Sequence, residues 1–373
     1  FGFRYSNFEF KLTCPMGFYQ GRVLWARIYT RVGIQRLDHL YLMRRKSLMM
    51  PSTSVIGVLM IMLAAAWQPA LAEEEAVYRL KWLFNVSVAG GLYADTHGYF
   101  SEQGLSVVLK EGGPERDAVR ELEMGHALFG AASADQVIRA RAMGSPVVVV
   151  AQLFQVNPLQ WIYRPGELRI DRLEDLRGRV IGITYGGNDE TIMRTLLAKA
   201  GISEQEVELF SVRYDYTPFF QRRVPLWPVY RNAQGVILED RLGRAGEKTA
   251  FFNPADYGVR FVANSVVTAE KTAGRSPDLV RRFVRALLKG WSEAMDPKNS
   301  AETIKTLRRF DRETPENILS EQLAVTRGLV VPKDGAPIGS IDEAAWRQTE
   351  QIMLEQGQIK EAVGVEEALR PAF

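Results

Sequence analysis

Cysteine and histidine are scarce in this chain, and their scarcity excludes several kinds of chemistry. The single cysteine is Cys14, so residues 73–373 have no disulfide, thiolate nucleophile or cysteine metal ligand. His97 and His126, the two histidines in that range, lack the spacing of a His-Glu-x-x-His metal motif. No Gly-x-Ser-x-Gly motif is present, and no acidic pair has a spacing that indicates catalysis. We therefore expect a protein that is not an enzyme and holds neither a metal nor a cofactor.

A hydrophobic run long enough to span a membrane is also lacking near the start. Residues 55–66 form an apolar run of about a dozen residues, whereas a membrane-spanning helix needs about 20. The run follows basic residues 44–46 and precedes Ala70-Leu71-Ala72, which is the order of an export signal and its cleavage site. We predict a signal peptide at residues 43–72, cleaved near Ala72, and a location in the periplasm. A retained membrane anchor is the alternative.

The chain has no excess of basic charge once this leader is removed. It contains 47 basic and 44 acidic residues, but nine of the basic and two of the acidic residues precede residue 73. The remaining 38 basic and 42 acidic residues give a net charge near −4, which argues against nucleic-acid binding. Residues 1–42 show no helical or strand period and are predicted to be untranslated or disordered. About 300 residues remain, enough for two hydrophobic cores.

Short apolar runs alternate with helical stretches from Val77 onward, in two successive blocks. The strands of the first block are predicted near residues 77–83, 105–109, 127–130 and 146–153. The strands of the second block are predicted at 180–183, 207–212 and 224–229. Four further helices are predicted at 277–295, 301–309, 315–328 and 341–356. This alternation predicts an α/β protein with two lobes, each an open, mostly parallel sheet flanked by helices.

A series of short motifs in a fixed order points to a known family. The motifs are Trp82-Leu83-Phe84-Asn85, Gly91-Leu92-Tyr93, Gly98-Tyr99-Phe100, residues 129–136, residues 140–147, residues 173–178, Asn253-Pro254-Ala255-Asp256-Tyr257-Gly258 and residues 283–291. Together they resemble the solute-binding family related to thiamine-pyrimidine synthase. The resemblance implies a periplasmic-binding-protein fold of type II, in which crossover segments join two lobes and the ligand lies in the cleft. We expect lobe one at 73–163 plus 262–373 and lobe two at 164–261.

The same resemblance implies a function in transport. Relatives in this family bind pyrimidine precursors of thiamine or other flat heterocycles, and more distant ones bind sulfonates, nitrate or taurine. We therefore expect a monomer that captures a small molecule and delivers it to an ABC permease in the inner membrane, with no nucleic-acid partner. A sensor that presents its ligand to a membrane receptor is the alternative.

An enzymatic branch of the family makes the thiamine pyrimidine itself. That branch carries an active-site lysine and histidine around the segment at residues 131–136, and a cysteine-rich motif. The corresponding positions here are Ala132 and Gln136, and residues 73–373 contain no cysteine. The resemblance thus implies binding without catalysis, and a pyrimidine-synthase activity is the less favoured alternative.

Candidate ligand contacts in lobe one follow the predicted strands, because ligands of open α/β sheets lie beyond the carboxyl ends of the strands. Trp82, Asn85 and Tyr93 follow the first strand, where they offer aromatic faces and an amide, or serve as core residues. Ser133 begins a helix after the third strand and either contacts the ligand or caps that helix. Gln152 and Asn157 follow the fourth strand and either contact the ligand or hold the hinge.

Candidate contacts in lobe two form two groups. The first is a glycine-rich turn before a helix, which can hold an anionic or carbonyl oxygen or be an ordinary tight turn: Gly186, Gly187, Asn188 and Glu190. The second contains aromatic and acidic residues near the last strands, where a ring can stack: Asp215, Trp227 and Tyr230. Arg231 is the candidate cation if the ligand is a small oxyanion such as a sulfonate, which is the alternative to a flat heterocycle.

Overall fold

The computed structural model describes residues 73–113, 116–213 and 215–372. The predicted signal peptide, its cleavage site and residues 1–42 lie outside these ranges. Within the described ranges, no helix has the length and hydrophobicity needed to cross a membrane.

The described residues form two groups of strands, one for each lobe. The strands are β1 (Glu74–Arg79), β2 (Leu105–Lys110), β3 (Phe129–Ala132), β4 (Val147–Gln152), β5 (Leu159–Tyr163), β6 (Val180–Ile183), β7 (Glu208–Ser211), β8 (Trp227–Tyr230), β9 (Ala250–Phe252) and β10 (Ser265–Ala269). The sequence patterns predict all of these except β5, β9 and β10, which lie outside the two regular blocks.

The first sheet has the strand order β2-β1-β3-β10-β4. β1 is parallel to β2 and β3, whereas β10 returns antiparallel between β3 and β4. Every residue of β3 and β4 is buried, which agrees with their continuous apolar runs, typical of strands covered on both faces. The return of β10 from the second lobe makes lobe one discontinuous in sequence.

The second sheet is built from two hydrogen-bonded groups, β8-β5-β9 and β6-β7. A bridge between Ile181 and Leu226 joins β6 to the segment that leads into β8. β6 and β7 are parallel, and β5 is antiparallel to both of its neighbours. Since β5 pairs with β8 and β9, residues 159–163 join the strands of the second sheet, whereas the sequence predicts them in lobe one.

Helices cover both sheets. They are α1 (Ala89–Thr96), α2 (Ala118–Glu123), α3 (Ala134–Ala142), α4 (Asn188–Lys199), α5 (Thr217–Phe220), α6 (Val236–Arg244), α7 (Glu270–Arg275), α8 (Pro277–Met295), α9 (Ser300–Leu307), α10 (Glu316–Val330) and α11 (Glu343–Glu355). The bounds of α8 match the predicted helix at 277–295, which begins with proline at its first position because that position needs no backbone donor.

Two glycines allow α1 and α8 to pack closely in lobe one. A Cβ atom on Gly90 would lie 2.1 Å from the Trp291 ring, and one on Gly290 would lie 2.3 Å from the Gly90 carbonyl oxygen. Beside this crossing, the ring of Phe283 stacks on that of Phe129 with 3.7 Å between centroids. The contact therefore holds α8 against the first sheet and fixes the helix that follows β1.

Two crossover segments join the lobes and are hydrogen-bonded to each other. Asn157, which precedes β5, donates from Nδ2 to the carbonyl oxygen of Phe261 at 2.7 Å. The backbone N–H groups of Leu153 and Phe154 both donate to the carbonyl oxygen of Asn264. Because the strands on either side belong to different sheets, these paired segments form the hinge between the lobes.

Candidate ligand cleft

The cleft lies where the carboxyl ends of strands from both lobes meet. Lys81 follows β1, and Ser133 follows β3 in lobe one. Thr184 follows β6, and Tyr230 ends β8 in lobe two. This is the edge at which open α/β sheets hold their ligands.

The lobe-one wall is a polar network centred on Lys81. Its Nζ donates to Ser133 Oγ at 2.7 Å and to Gln136 Oε1 at 2.5 Å. Gln136 in turn donates from Nε2 to Asp117. Burial lowers the pKa of Lys81, while the carboxylates of Asp135 and Asp117 oppose that shift. The sequence pattern does not identify Lys81 as a site residue, because Lys81 occupies one polar position of an alternating strand.

Ser133 has the capping role considered for it, and its contact with a ligand stays a prediction. Its side chain and that of Gln136 form a capping box at the start of α3, which satisfies backbone donors of the first turn. Its hydroxyl also bonds to Lys81 and to the Asp135 carboxylate. The cap thus holds the polar wall in place, at the base of the cleft.

Asp135 connects the two lobes. It is almost fully buried, and Arg139 pairs with it along α3. Asn188, at the start of α4 in lobe two, donates from Nδ2 to Asp135 Oδ1 at 3.2 Å. The lobes therefore touch across the cleft through one amide and one carboxylate.

A second tie between the lobes lies at Asn232. This residue is fully buried in a π-helical turn, Arg231–Gly235, that follows β8. Its Nδ2 donates to Ser87 Oγ and to Thr326 Oγ1, each at 3.1 Å. Single π-helical turns of this kind are frequent at functional sites, and here the turn aims Asn232 at lobe one.

The lobe-two wall contains a cavity of about 540 Å³. It is lined by Leu159, Thr184, Gly187, Asn188, Asp189, Val212, Arg213, Tyr216, Trp227, Pro228, Val229, Tyr230 and Gln234. Aromatic rings dominate one side, where Tyr216 is tilted against Trp227 with 5.8 Å between centroids. The structure therefore brings together four of the residues predicted from the sequence: Gly187, Asn188, Trp227 and Tyr230.

Tyr230 presents a partly open ring deep in this cavity. It is 40% exposed, yet desolvation raises the pKa of its phenol to about 12, with Asp189 and Asp135 adding to the shift. The influence of Asp135 also shows that Tyr230 lies close to the polar wall of lobe one.

The glycine-rich turn is held by two carboxylates of its own. The Asp189 carboxylate accepts from the Thr184 backbone N–H at 2.6 Å, and burial raises the pKa of Asp189. Glu190 accepts from the Gly186 N–H at 2.6 Å and pairs with Arg194 at 2.8 Å. Each Glu190 oxygen thus has a partner within lobe two, and a ligand contact by Glu190 stays a prediction. Gly186, at φ +79°, shapes the turn without lining the cavity.

Tyr93 lies in the core and is not among the residues that line the cavity, and a ligand contact by it stays a prediction. It is almost fully buried and stacks on His97, with 3.8 Å between ring centroids. The carboxylates of Glu293 and Glu302 contribute to its raised pKa after desolvation, which places it beside α8 and α9. On α1, Tyr93 lies on the face that packs against the C-terminal helices, in the core role considered for it.

Asn85 and Trp82 lie in the loop after β1. The Asn85 side chain caps the 3-10 turn Val86–Val88 by accepting from the Ser87 N–H at 2.8 Å. Trp82 is 39% exposed and is not among the residues that line the cavity. Asn85 is therefore a local cap, and ligand contacts by Asn85 and Trp82 stay predictions.

Gln152 and Asn157 serve the hinge, the second of the two roles left open for them. Gln152 is buried, and its Oε1 accepts from the Asp342 N–H and from Trp346 Nε1, each at 3.1 Å. Asn157 joins the crossovers through Phe261. Their polar atoms are bonded within the protein, and a ligand contact by either residue stays a prediction.

Two charged residues near the last strands are also bonded to groups within the protein. Asp215 accepts from the Thr217 N–H at 2.9 Å, and hydrogen bonds from the Thr217 hydroxyl and backbone lower the pKa of Asp215. Arg231 pairs with Glu239 at 3.0 Å and lies over the Phe251 ring. Neither residue lines the cavity, and a ligand contact by either stays a prediction. The cation that lines the cavity is Arg213, which is exposed and has no ion pair among the described residues.

The strand order defines the fold of this protein: the order is β2-β1-β3-β10-β4, with a second group of strands inserted before β10. The fold is the two-lobed periplasmic-binding-protein fold of type II. It is similar to the crystal structure of the periplasmic aliphatic sulfonate binding protein SsuA from Escherichia coli, with a TM-score of 0.62 and 15% identity. That match covers 79% of this chain and 91% of SsuA.

The chain belongs to the NMT1/THI5-like family, whose sequence profile matches residues 85–300. It is 25% identical over 317 residues to the riboflavin-binding protein RibY of Chloroflexus aurantiacus, covering 82% of this chain and 87% of RibY. It is 24% identical over 310 residues to a formylaminopyrimidine-binding protein of Halalkalibacterium halodurans, covering 80% and 92%. These comparisons confirm the family and the fold that the motifs indicated.

Proposed function

We propose that this protein is a periplasmic solute-binding protein that holds a small flat heterocycle in the cleft and delivers it to an ABC importer. The observation that carries the proposal is the aromatic side of the 540 Å³ cavity, formed by Tyr216, Trp227 and Tyr230. The polar wall of Lys81 and Asp135 approaches Tyr230 from the other lobe. Relatives named for binding riboflavin and a formylaminopyrimidine support a ring-shaped ligand.

The cavity provides two kinds of interaction for such a ligand. A flat ring can stack on the exposed face of Tyr230, and base–aromatic stacking contributes about 1–3 kcal/mol. The amide of Asn188 and the hydroxyl of Thr184 supply hydrogen bonds at the ring edge. Lys81 keeps one N–H beyond its bonds to Ser133 and Gln136, since an ammonium has three donors.

Closure of the lobes would bury this ligand. The hinge lies at the paired crossovers around Asn157 and Phe261, and the lobes touch through Asn188 and Asn232. A ligand between the walls contacts both lobes only when they are closed, so binding favours the closed form. A single protomer presenting that form to a permease is the delivery step that we propose.

A ligand panel tests this proposal. Purified protein from residue 73 onward is titrated calorimetrically with riboflavin, a formylaminopyrimidine, taurine and an alkanesulfonate. We expect saturable binding of at least one heterocycle, and a loss of about tenfold or more in affinity for Tyr230→Ala. Tyr185→Ala is the matched control, since Tyr185 is 54% exposed and does not line the cavity. Equal losses in both variants would contradict the stacking site.

A small oxyanion remains the second candidate, and Arg213 is the observation that favours it. This exposed guanidinium lines the cavity and is unpaired within the described part of the chain. If the ligand is a sulfonate, Arg213→Gln should abolish its binding while Tyr230→Ala changes it little. For a neutral heterocycle the two variants should show the reverse pattern.

We also propose that the ligand leaves unchanged. Ala132 has no reactive side chain, and Gln136 is already bonded to Lys81 and Asp117. Protein incubated overnight with its ligand should return that molecule intact by mass spectrometry. Conversion of the ligand at a rate proportional to protein concentration would contradict binding without catalysis.

A further inference from the structure

A larger cavity lies on lobe one, outside the cleft. Its volume is about 690 Å³, and it lies between β4, α7, α8 and residues 337–338 and 370–372. This volume falls within the range of about 300–1,000 Å³ that is typical of ligand pockets. Its apolar lining includes Val150, Val280 and Leu288, which are buried side chains of the lobe-one core, and the half-buried Ile338.

Cationic side chains line the same cavity. They are Arg281, Arg285, Lys289 and Arg370. The first three are four residues apart, so they project from one face of α8 on successive turns. Like charges at this spacing destabilise a helix, and an anion bound among them would relieve that repulsion.

The centre of this cationic row is unpaired. Arg281 lies 3.7 Å from Asp278, Lys289 pairs with Glu102 at 2.7 Å, and Arg370 pairs with Glu270. Arg285, which lies between Arg281 and Lys289, is exposed and forms no hydrogen bond or ion pair with any residue that the structure describes, and its charge contributes only weakly to the lowered pKa of Asp278. Lys289 also lies 3.8 Å above the Tyr99 ring, which draws its ammonium towards α1. Arg285 is therefore the cation most available to a ligand.

We propose that this groove binds a single-chain amphiphile with an anionic head group, such as a fatty acid. The head group pairs with Arg285, and the chain lies on the partly buried Ile338 and Ala372 of the lining. A small anion would leave these two apolar side chains uncovered, and an uncharged chain would leave Arg285 without an anionic partner. The groove is separate from the cleft, so this site does not depend on the transport function.

Calorimetric titration with decanoate, below the concentration at which it forms micelles, tests the proposal. We expect one saturable site for decanoate, at least tenfold weaker binding of decanol, and no measurable heat from acetate. Arg285→Gln should weaken decanoate binding at least fivefold and leave decanol binding unchanged. Ile338→Ser should weaken both. Raising the salt concentration should weaken decanoate alone, because screening acts on the charged head group.

Two further variants test whether decanoate binds in this groove and not elsewhere on the protein. Arg347→Gln removes an exposed helical arginine that pairs with Glu343 far from the groove, and it should bind decanoate like the parent. Tyr230→Ala alters the cleft and should also leave decanoate binding intact. The proposal is overturned if decanoate does not bind saturably, if Arg285→Gln binds it as tightly as the parent, or if Tyr230→Ala abolishes its binding.

Discussion

The contact between Asn188 and Asp135 should set how readily the lobes close. Asn188→Ala removes the 3.2 Å bond from Nδ2 to a buried carboxylate. Hydrogen bonds to charged groups contribute about 1.5–3 kcal/mol. Because this bond is long and its donor is half-buried, we expect its removal to weaken the free energy of ligand binding by about 1 kcal/mol. Since about 1.4 kcal/mol corresponds to tenfold in affinity, the ligand Kd should rise about fivefold.

Asn188→Asp should have a larger effect in the same direction. It places a second carboxylate against Asp135, and like charges at this distance keep the lobes apart. Pairing it with Asp135→Asn restores one amide and one carboxylate with their positions exchanged. The double variant should therefore recover part of the lost affinity, although Arg139 loses its partner in it.

Two measurements follow this equilibrium. Calorimetry gives Kd for the best ligand of the panel, and small-angle X-ray scattering gives the radius of gyration, which should be larger for both single variants without ligand. Lys305→Gln is the control, because Lys305 is exposed and pairs with Glu302 on the surface of α9. If Asn188→Ala and Asn188→Asp both match the parent within twofold in Kd and do not differ in scattering, this contact does not govern closure.

Three further predictions concern stability and ionisation. Glu121→Gln should lower the free energy of unfolding at pH 7 by about 1–2 kcal/mol, because it breaks the 2.7 Å pair with the mostly buried Arg79. That bond lowers the pKa of Glu121, so the stabilisation it provides is present above pH 4.5 and is lost as the pH falls below that value. In urea unfolding, the difference in unfolding free energy between variant and parent should therefore be smaller at pH 4 than at pH 7. Gly290→Ala should lower the free energy of unfolding by about 1–3 kcal/mol through overpacking, because the added Cβ would lie 2.3 Å from the Gly90 carbonyl oxygen. An unchanged midpoint of thermal unfolding would contradict this prediction. Tyr230→Phe should remove one phenol that titrates near pH 12 in absorbance at 295 nm, and loss of a phenol titrating near pH 10 instead would contradict its desolvation.

Much of the fold could be predicted from local patterns. The helix at 277–295 has both a proline start signal and a strong apolar period, and these signals predict both of its ends to the residue. Local sequence patterns do not predict β5 and β9, because both strands belong to a sheet built by pairing between distant segments of the chain. For the same reason the sequence pattern predicts residues 159–163 in lobe one, although they pair with strands of the second sheet.

Tyr93 and Glu190 show why position along the chain is a weak guide to the site. Each lies close in sequence to the carboxyl end of a strand, which is where cleft residues are expected. Tyr93 is on the face of α1 that meets α8, and Glu190 is drawn back to its own turn by the Gly186 N–H. Proximity along the chain indicates the edge of a sheet, but the rotation of the following helix decides which side chains reach the cleft.

The sequence by itself determined the family, the alternation of strands and helices, and the aromatic character of the residues at the end of β8. Those properties depend on local order and on the periodicity of apolar side chains. Only the tertiary structure decided that Lys81 joins Ser133 and Gln136, that Asn188 reaches Asp135, and that Arg285 remains unpaired. The first two are contacts between segments more than 50 residues apart, and the third depends on which acidic residues other helices bring near. No pattern within one segment contains that information.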